Sequence, residues 1–185
     1  AFVRVAEHLS AKTLGPWAGR LIELHAEIRA RLLGRALAHT PSCVEQGGVL
    51  RLSDDIYLSE RGTPLSAGGI GAEAAQAVIA TVNALKERTT LGTLFPELAA
   101  ALQALTIVRD KPLASALHDI DRIVIDEVQD LTLIETDVIV ELCRALARQR
   151  GTSPWLLVAG DEGQTVRPSG FDWAALNRLL SQRVY

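Results

Sequence analysis

The stretch Asp126-Glu127-Val128-Gln129-Asp130 gathers three carboxylates and an amide in one short turn of chain. Adjacent acids can divide two tasks. One holds a magnesium ion, which takes one or two carboxylates and completes its shell with waters and phosphates. The other accepts a proton from an attacking water. Nucleotide hydrolysis requires both tasks. The residues just before, Ile123-Val124-Ile125, are apolar and β-branched, which reads as a buried parallel strand. The acids then fall at its C-terminal end, the edge where open α/β sheets bind ligands. For Asp-Glu taken alone, the rival reading is a pair of acids at the N-terminus of the following helix, where negative charge is favoured.

A second stretch has the same build. Leu156-Leu157-Val158-Ala159 is an apolar strand that runs into Gly160-Asp161-Glu162-Gly163-Gln164. Gly160 is expected to let the chain turn sharply. Gln164 is a neutral amide that both donates and accepts, suited to sensing a terminal phosphate and its water. Between the two strands, residues 131 to 150 read as a helix. Its residues Ile134, Val138, Leu142 and Leu146 face inward, with Arg144, Arg148 and Arg150 near its negative end. Gly151 and Pro154 stop it. A strand–helix–strand unit of this length implies a right-handed parallel crossover. Residues 122 to 126 and 155 to 159 should therefore be adjacent parallel strands, with Asp126, Glu127 and Gln164 emerging at one edge. A last helix begins near Asp172 and carries Leu176, Leu179 and Leu180.

Together the two motifs resemble Walker B and the following Gly-Asp-x-x-Gln motif of UvrD/Rep-like superfamily 1 DNA helicases, over roughly residues 119 to 185. The resemblance implies an α/β fold, part of a RecA-like P-loop NTPase parallel sheet, preceded by a mainly helical region at 1–118. That region would correspond to the insertion such helicases carry before Walker B. It also implies ATP and Mg2+ as cofactors, and single-stranded or partly duplex DNA as partner, alongside the rest of a parent helicase chain. Asp126 would hold magnesium, Glu127 would activate water, and Gln164 would read the nucleotide. Gln129, Asp130 and Asp161 would support them. In the family a tyrosine three residues and a tryptophan five residues after the glutamine stack on bases. Here those positions hold Arg167 and Ser169, and the aromatics are displaced to Phe171 and Trp173. Arg167 could contact phosphate, and Phe171 and Trp173 could stack on bases or belong to the core. Superfamily 2 helicases share Asp-Glu but typically lack the Gln-Asp that follows it here. The alternative of another class is a non-catalytic RecA-like module for protein or nucleic-acid contacts.

Composition sets the bounds. The chain has 185 residues, is 48% hydrophobic and carries a net charge of −3, so bulk charge does not advertise nucleic acid. It contains no methionine, from which a fragment, a processed form or an excised domain is expected. Cys43 and Cys143 lie far apart without CxxC spacing, which argues against a disulfide framework or zinc site and for a reducing compartment. His8, His25, His39 and His118 lack metal-ligand spacing. No run reaches the ~18 apolar residues of a membrane span, and no signal-peptide pattern opens the chain. A cytoplasmic protein is expected.

The first part reads as helical. Residues 2 to 12 form a short helix. A longer one runs from Pro16 to about His39, with an apolar stripe of Trp17, Leu21, Leu24, Ile28 and Leu32, and with Glu27 and Arg31 pairing outside. Val49–Leu52 and Ile56–Leu58 suggest a hairpin across Ser53-Asp54-Asp55, the acids bonding their own turn. Gly68-Gly69-Ile70-Gly71 opens a helix over residues 72 to 88, but no lysine follows a glycine anywhere, so this is a connector and not a Walker A. Thr93 should cap the next helix, which carries Leu94, Leu98, Leu102 and Leu105 and breaks at Lys111-Pro112. Lacking a Walker A, the chain alone is expected not to turn over ATP.

Overall fold

A computed structural model describes residues 1–38, 40–164 and 168–183; the side chains at 116, 162, 182 and 183 are left aside. In chain order the elements are α1 (Phe2–Ala6), α2 (Ala11–Leu14), α3 (Leu21–Glu27), β1 (Cys43–Gln46), β2 (Val49–Leu52), α4 (Asp54–Arg61) and α5 (Ala72–Lys86). They continue with α6 (Leu91–Leu94), α7 (Pro96–Asp110), β3 (Arg122–Ile125), α8 (Leu133–Arg150), β4 (Trp155–Val158) and α9 (Trp173–Arg183). The chain is thus α/β, with a helical first part and a strand–helix–strand unit behind it.

That unit pairs as expected, but its strands are not buried on both faces as expected. Val124 and Leu157 stand 66% and 61% exposed on one face, because among the described residues only the face carrying Ile125 and Val158 packs against a cluster. Strands β3 and β4 pair in parallel, with Ile123 opposite Leu156 and Ile125 opposite Val158. Helix α8 starts two residues later than expected, because Thr132 is its N-cap. The Thr132 hydroxyl accepts the Glu135 N–H while the Glu135 carboxylate accepts the Thr132 N–H at 2.8 Å, a reciprocal capping box. Along α8, Ile134 and Val138 pack into the large core of the helical part, whereas Ala145, Leu142 and Leu146 pack with Leu113 in a second cluster. A third cluster under the sheet joins Ile125, Val128 and Leu176. Asp137 and Glu141 on the same helix are buried and ion-paired to Arg109 of α7 at 3.1 and 3.6 Å.

Several sequence expectations in the helical part need correction. The helix expected over 2–12 is two, α1 and α2. The long helix from Pro16 is also broken: Gly15–Trp17 is a 3-10 turn, α3 follows, and Ile28–Leu33 continues it as a π-helix. The Trp17 indole N–H donates to the Ala74 carbonyl at 2.9 Å, so a tertiary bond to α5 fixes the first turn where periodicity sees only an unbroken stripe. The stripe itself is real: Trp17, Leu24, Ile28 and Leu32 are buried. The hairpin lies one strand earlier than expected. β1 and β2 pair antiparallel about Gly47 and Gly48, whose φ of 58° and 81° supply the consecutive left-handed residues of a tight hairpin turn.

Asp54 and Asp55 then open helix α4, where acids suit the positive end. Asp54 binds Arg51 at 2.6 Å and not its own turn. Thr90, not Thr93, caps the next helix, and α7 begins at Pro96. Glu27 turns inward away from Arg31, taking Arg61 Nε at 2.7 Å and Nη2 at 3.0 Å and the Tyr57 hydroxyl at 3.0 Å. Burial, then the neighbouring Glu27 carboxylate, pushes the Tyr57 phenol far above its ordinary range. Among the described residues no helix is long and apolar enough to cross a membrane.

Candidate functional site

Because β3 and β4 are parallel and in register, the residues that follow Ile125 and Val158 leave the sheet together. The ladder runs on past both strands. Ala159 N–H donates to the Ile125 carbonyl at 2.8 Å, and Val128 N–H donates back to the Ala159 carbonyl at 3.0 Å. The chain after β3 therefore folds over the end of β4. Asp126 and Glu127 are exposed at this edge, and the Asp126 Oδ1 accepts the Glu127 N–H at 3.0 Å. Glu127 is the one non-glycine described residue with positive φ, at 54° with ψ 41°. A left-handed residue bearing a Cβ costs about 1–2 kcal/mol. Such outliers concentrate where geometry serves function. Here it reverses the chain immediately after Asp126.

Gln129 is fully buried below the two acids. Its Nε2 donates to Glu127 Oε2 at 2.5 Å, and its Oε1 accepts the Asp161 N–H at 3.0 Å. Asp161 in turn accepts the Gly163 N–H at 2.8 Å and the Gln164 Nε2 at 2.9 Å. One chain of hydrogen bonds thus runs Glu127–Gln129–Asp161–Gln164, joining the two motifs across the ends of the strands. Asp130, half-buried, closes the Val128–Asp130 turn, its N–H bonded to the Glu127 carbonyl at 2.9 Å. Gly160 is required for a different reason from the sharp turn expected of it. Its φ is not positive, but a Cβ there would overlap Gln129 Oε1 and lie 2.8 Å from Val128 Cγ1. The bare glycine is what lets the Gln129 amide reach Asp161.

The segment after the second motif holds residues whose place sequence reasoning missed. Ser169 is buried, and its hydroxyl donates to the Gln129 backbone carbonyl at 2.5 Å while accepting the Phe171 N–H at 3.1 Å. Arg29, 4% exposed on the π-helical stretch, donates to the Pro168 carbonyl at 2.5 Å and pairs with Glu97 at 3.1 Å. Arg29 lies off the stripe of Leu24, Ile28 and Leu32, so periodicity gave no signal for it; its burial rests on these two partners, since buried charges demand them. Phe171 and Trp173 meet edge to face at 5.1 Å and pack, half-buried, against the cluster of Ile125, Val128 and Leu176. Arg167 lies outside the described residues.

As to a cation, the exposed Asp126 carboxylate spends one oxygen on a backbone N–H. Among the described residues no three acid, histidine or cysteine side chains converge on a point. So few converging ligands suit magnesium, which keeps its waters and leans on phosphates, and do not suit an ion caged by protein alone. Comparison of the chain with protein-family models, with curated proteins and with solved structures returns no match.

Proposed function

We propose that this chain is the Walker B portion of an ATP-dependent DNA translocase of the UvrD/Rep-like type, carrying the second half of a RecA-like ATPase domain. The observation that supports it best is the hydrogen-bond chain from Glu127 through Gln129 and Asp161 to Gln164, which ties both motifs to one edge of a parallel pair. Asp126 would hold magnesium beside the nucleotide, where the ion neutralises phosphate charge. Glu127 would take the proton of the attacking water. Gln164, bonded to Asp161, would couple the terminal phosphate to Gln129 and so to the base.

The test is steady-state phosphate release with single-stranded DNA present. It compares this chain, the intact polypeptide that contains it, and that polypeptide with Glu127→Gln. Hydrolysis by the intact polypeptide is expected, and none by the chain alone, which has no Walker A. The substitution should abolish turnover and leave nucleotide binding in place, since an amide cannot act as a base. An unimpaired variant would remove Glu127 from the mechanism.

One observation favours the non-catalytic module as a second reading. Ser169 is turned inward, and Phe171 and Trp173 lean on the chain's own core, so the aromatic contacts expected for DNA are spent internally. ATP-independent DNA or protein binding by the intact polypeptide, with no phosphate release, would favour it.

A further inference from the structure

We propose that Gln129 is the positioning residue of this site. Its side-chain amide holds the Glu127 carboxylate in one place through a bond whose direction is set from the Asp161 side. The inference rests on the reading of Glu127 as the base.

The argument starts from exposure. Glu127 is exposed, and a glutamate there would ordinarily sample many rotamers. Gln129 is fully buried and offers one acceptor and one donor group to its two neighbours. Its Oε1 meets a backbone N–H, that of Asp161, which can only donate. Its Nε2 meets a carboxylate, Glu127, which when ionised can only accept. Turning the amide over would set donor against donor and acceptor against acceptor, so only one orientation keeps both bonds. The backbone is pinned as well, since the Gln129 carbonyl takes the Ser169 hydroxyl at 2.5 Å and Ser169 takes the Phe171 N–H at 3.1 Å. Gly160 clears the space in which the amide sits. Gln129 is therefore held at its backbone carbonyl and at both ends of its amide, and its Nε2 bond falls on Glu127. Gln129 touches no reacting atom and acts only through the glutamate.

Two substitutions separate its two bonds. Gln129→Glu keeps an acceptor for the Asp161 N–H but sets a second carboxylate against Glu127. Gln129→Met removes both bonds. Two readouts follow: steady-state phosphate release by the intact polypeptide with ATP and single-stranded DNA, and hydrogen exchange at the Asp161 amide by NMR. Both variants should lower kcat by about tenfold or more, with KM for ATP within about twofold, as expected for a misplaced catalytic group. Asp161 should stay protected in Gln129→Glu and exchange about tenfold faster or more in Gln129→Met. A Gln129→Glu enzyme with kcat within about twofold of the unmodified one, or with KM alone raised, overturns the proposal. Unchanged Asp161 exchange in Gln129→Met overturns the bridge itself. Should Gln129→Met fail to fold, the Gln129→Glu result decides. Absence of hydrolysis by the unmodified polypeptide instead overturns the reading of the site, and is told apart because the exchange result does not depend on ATP.

Discussion

Gly160→Ala should destabilise the candidate site directly. The new Cβ overlaps Gln129 Oε1 and stands 2.8 Å from Val128 Cγ1 and 3.2 Å from the Val128 nitrogen. Gln129 is buried and pinned through its backbone to Ser169, so the amide cannot simply swing aside. Overpacking of this kind costs about 1–3 kcal/mol. Displacing the amide also leaves the Asp161 N–H without its acceptor, adding about 1–3 kcal/mol. A total of about 2–6 kcal/mol, read as a shift in the urea midpoint at constant slope, is the expected result. The mechanism has a sharper signature in a double-mutant cycle with Gln129→Ala. Cutting the amide away removes the tighter of the two side-chain contacts and leaves Val128, so Gly160→Ala should cost less in that background, with a coupling of about 1–2 kcal/mol. Two substitutions that add within about 0.5 kcal/mol would show that the glycine is not there for Gln129.

Other parts of the fold give independent tests by denaturation. Glu27→Gln leaves the Arg61 guanidinium, 14% exposed, facing a neutral amide, and should cost about 2–3 kcal/mol, whereas Tyr57→Phe removes one hydrogen bond and should cost about 1 kcal/mol. Thr132→Ala removes the capping hydroxyl of α8 and should cost about 1 kcal/mol by the same measurement. His25, stacked on Phe95 at 5.3 Å, has its pKa lowered by burial and then by the Arg29 charge, with Glu97 opposing. Below the ordinary value of 6.5 the unfolded chain binds the proton first, so stability should fall as pH drops through 6.5 toward the lowered folded value. A His25→Phe variant should lose that slope, and a slope unchanged by the substitution would assign it elsewhere.

What could be read in advance divides along the chain. The unit from 119 onward was legible because its signals are local and agree with one another. They are a β-branched run, acids at its end, a helix-long stripe and a second strand before a glycine. The parallel pairing of β3 with β4 follows from a crossover through a single helix. The first 118 residues were less legible because tertiary bonds override their periodicity. The Trp17–Ala74 bond fixes a 3-10 turn inside a helical stripe, and Glu27, apt for a surface pair, is drawn inward to Tyr57 and Arg61. The hairpin was expected across Ser53-Asp54-Asp55, which opens a helix, whereas the tight turn lies at Gly47-Gly48. At the candidate site, the sequence singled out Asp126, Glu127, Gln129, Asp161 and Gln164, but not the hydrogen bonds among them. Nothing in a string of letters says that Gly160 serves the residue thirty-odd positions before it, nor that Ser169 reaches back to Gln129.

Helix α8 makes the site answerable to packing far from it. Its 18 residues span about 27 Å at 1.5 Å per residue. The turn Val128–Asp130 is joined directly to its cap, while its other end is seated by Leu146 and Ala145 against Leu113. A rod of that length works as a lever. The far seat lies about 20 Å from the cap, so a tilt of about 3° about it moves the near end by about 1 Å. The Ile134 and Val138 contacts near the cap resist that tilt. The fine setting of Glu127 is thus held at two stations along one helix, and loosening the remote one is transmitted to the acids as an angle.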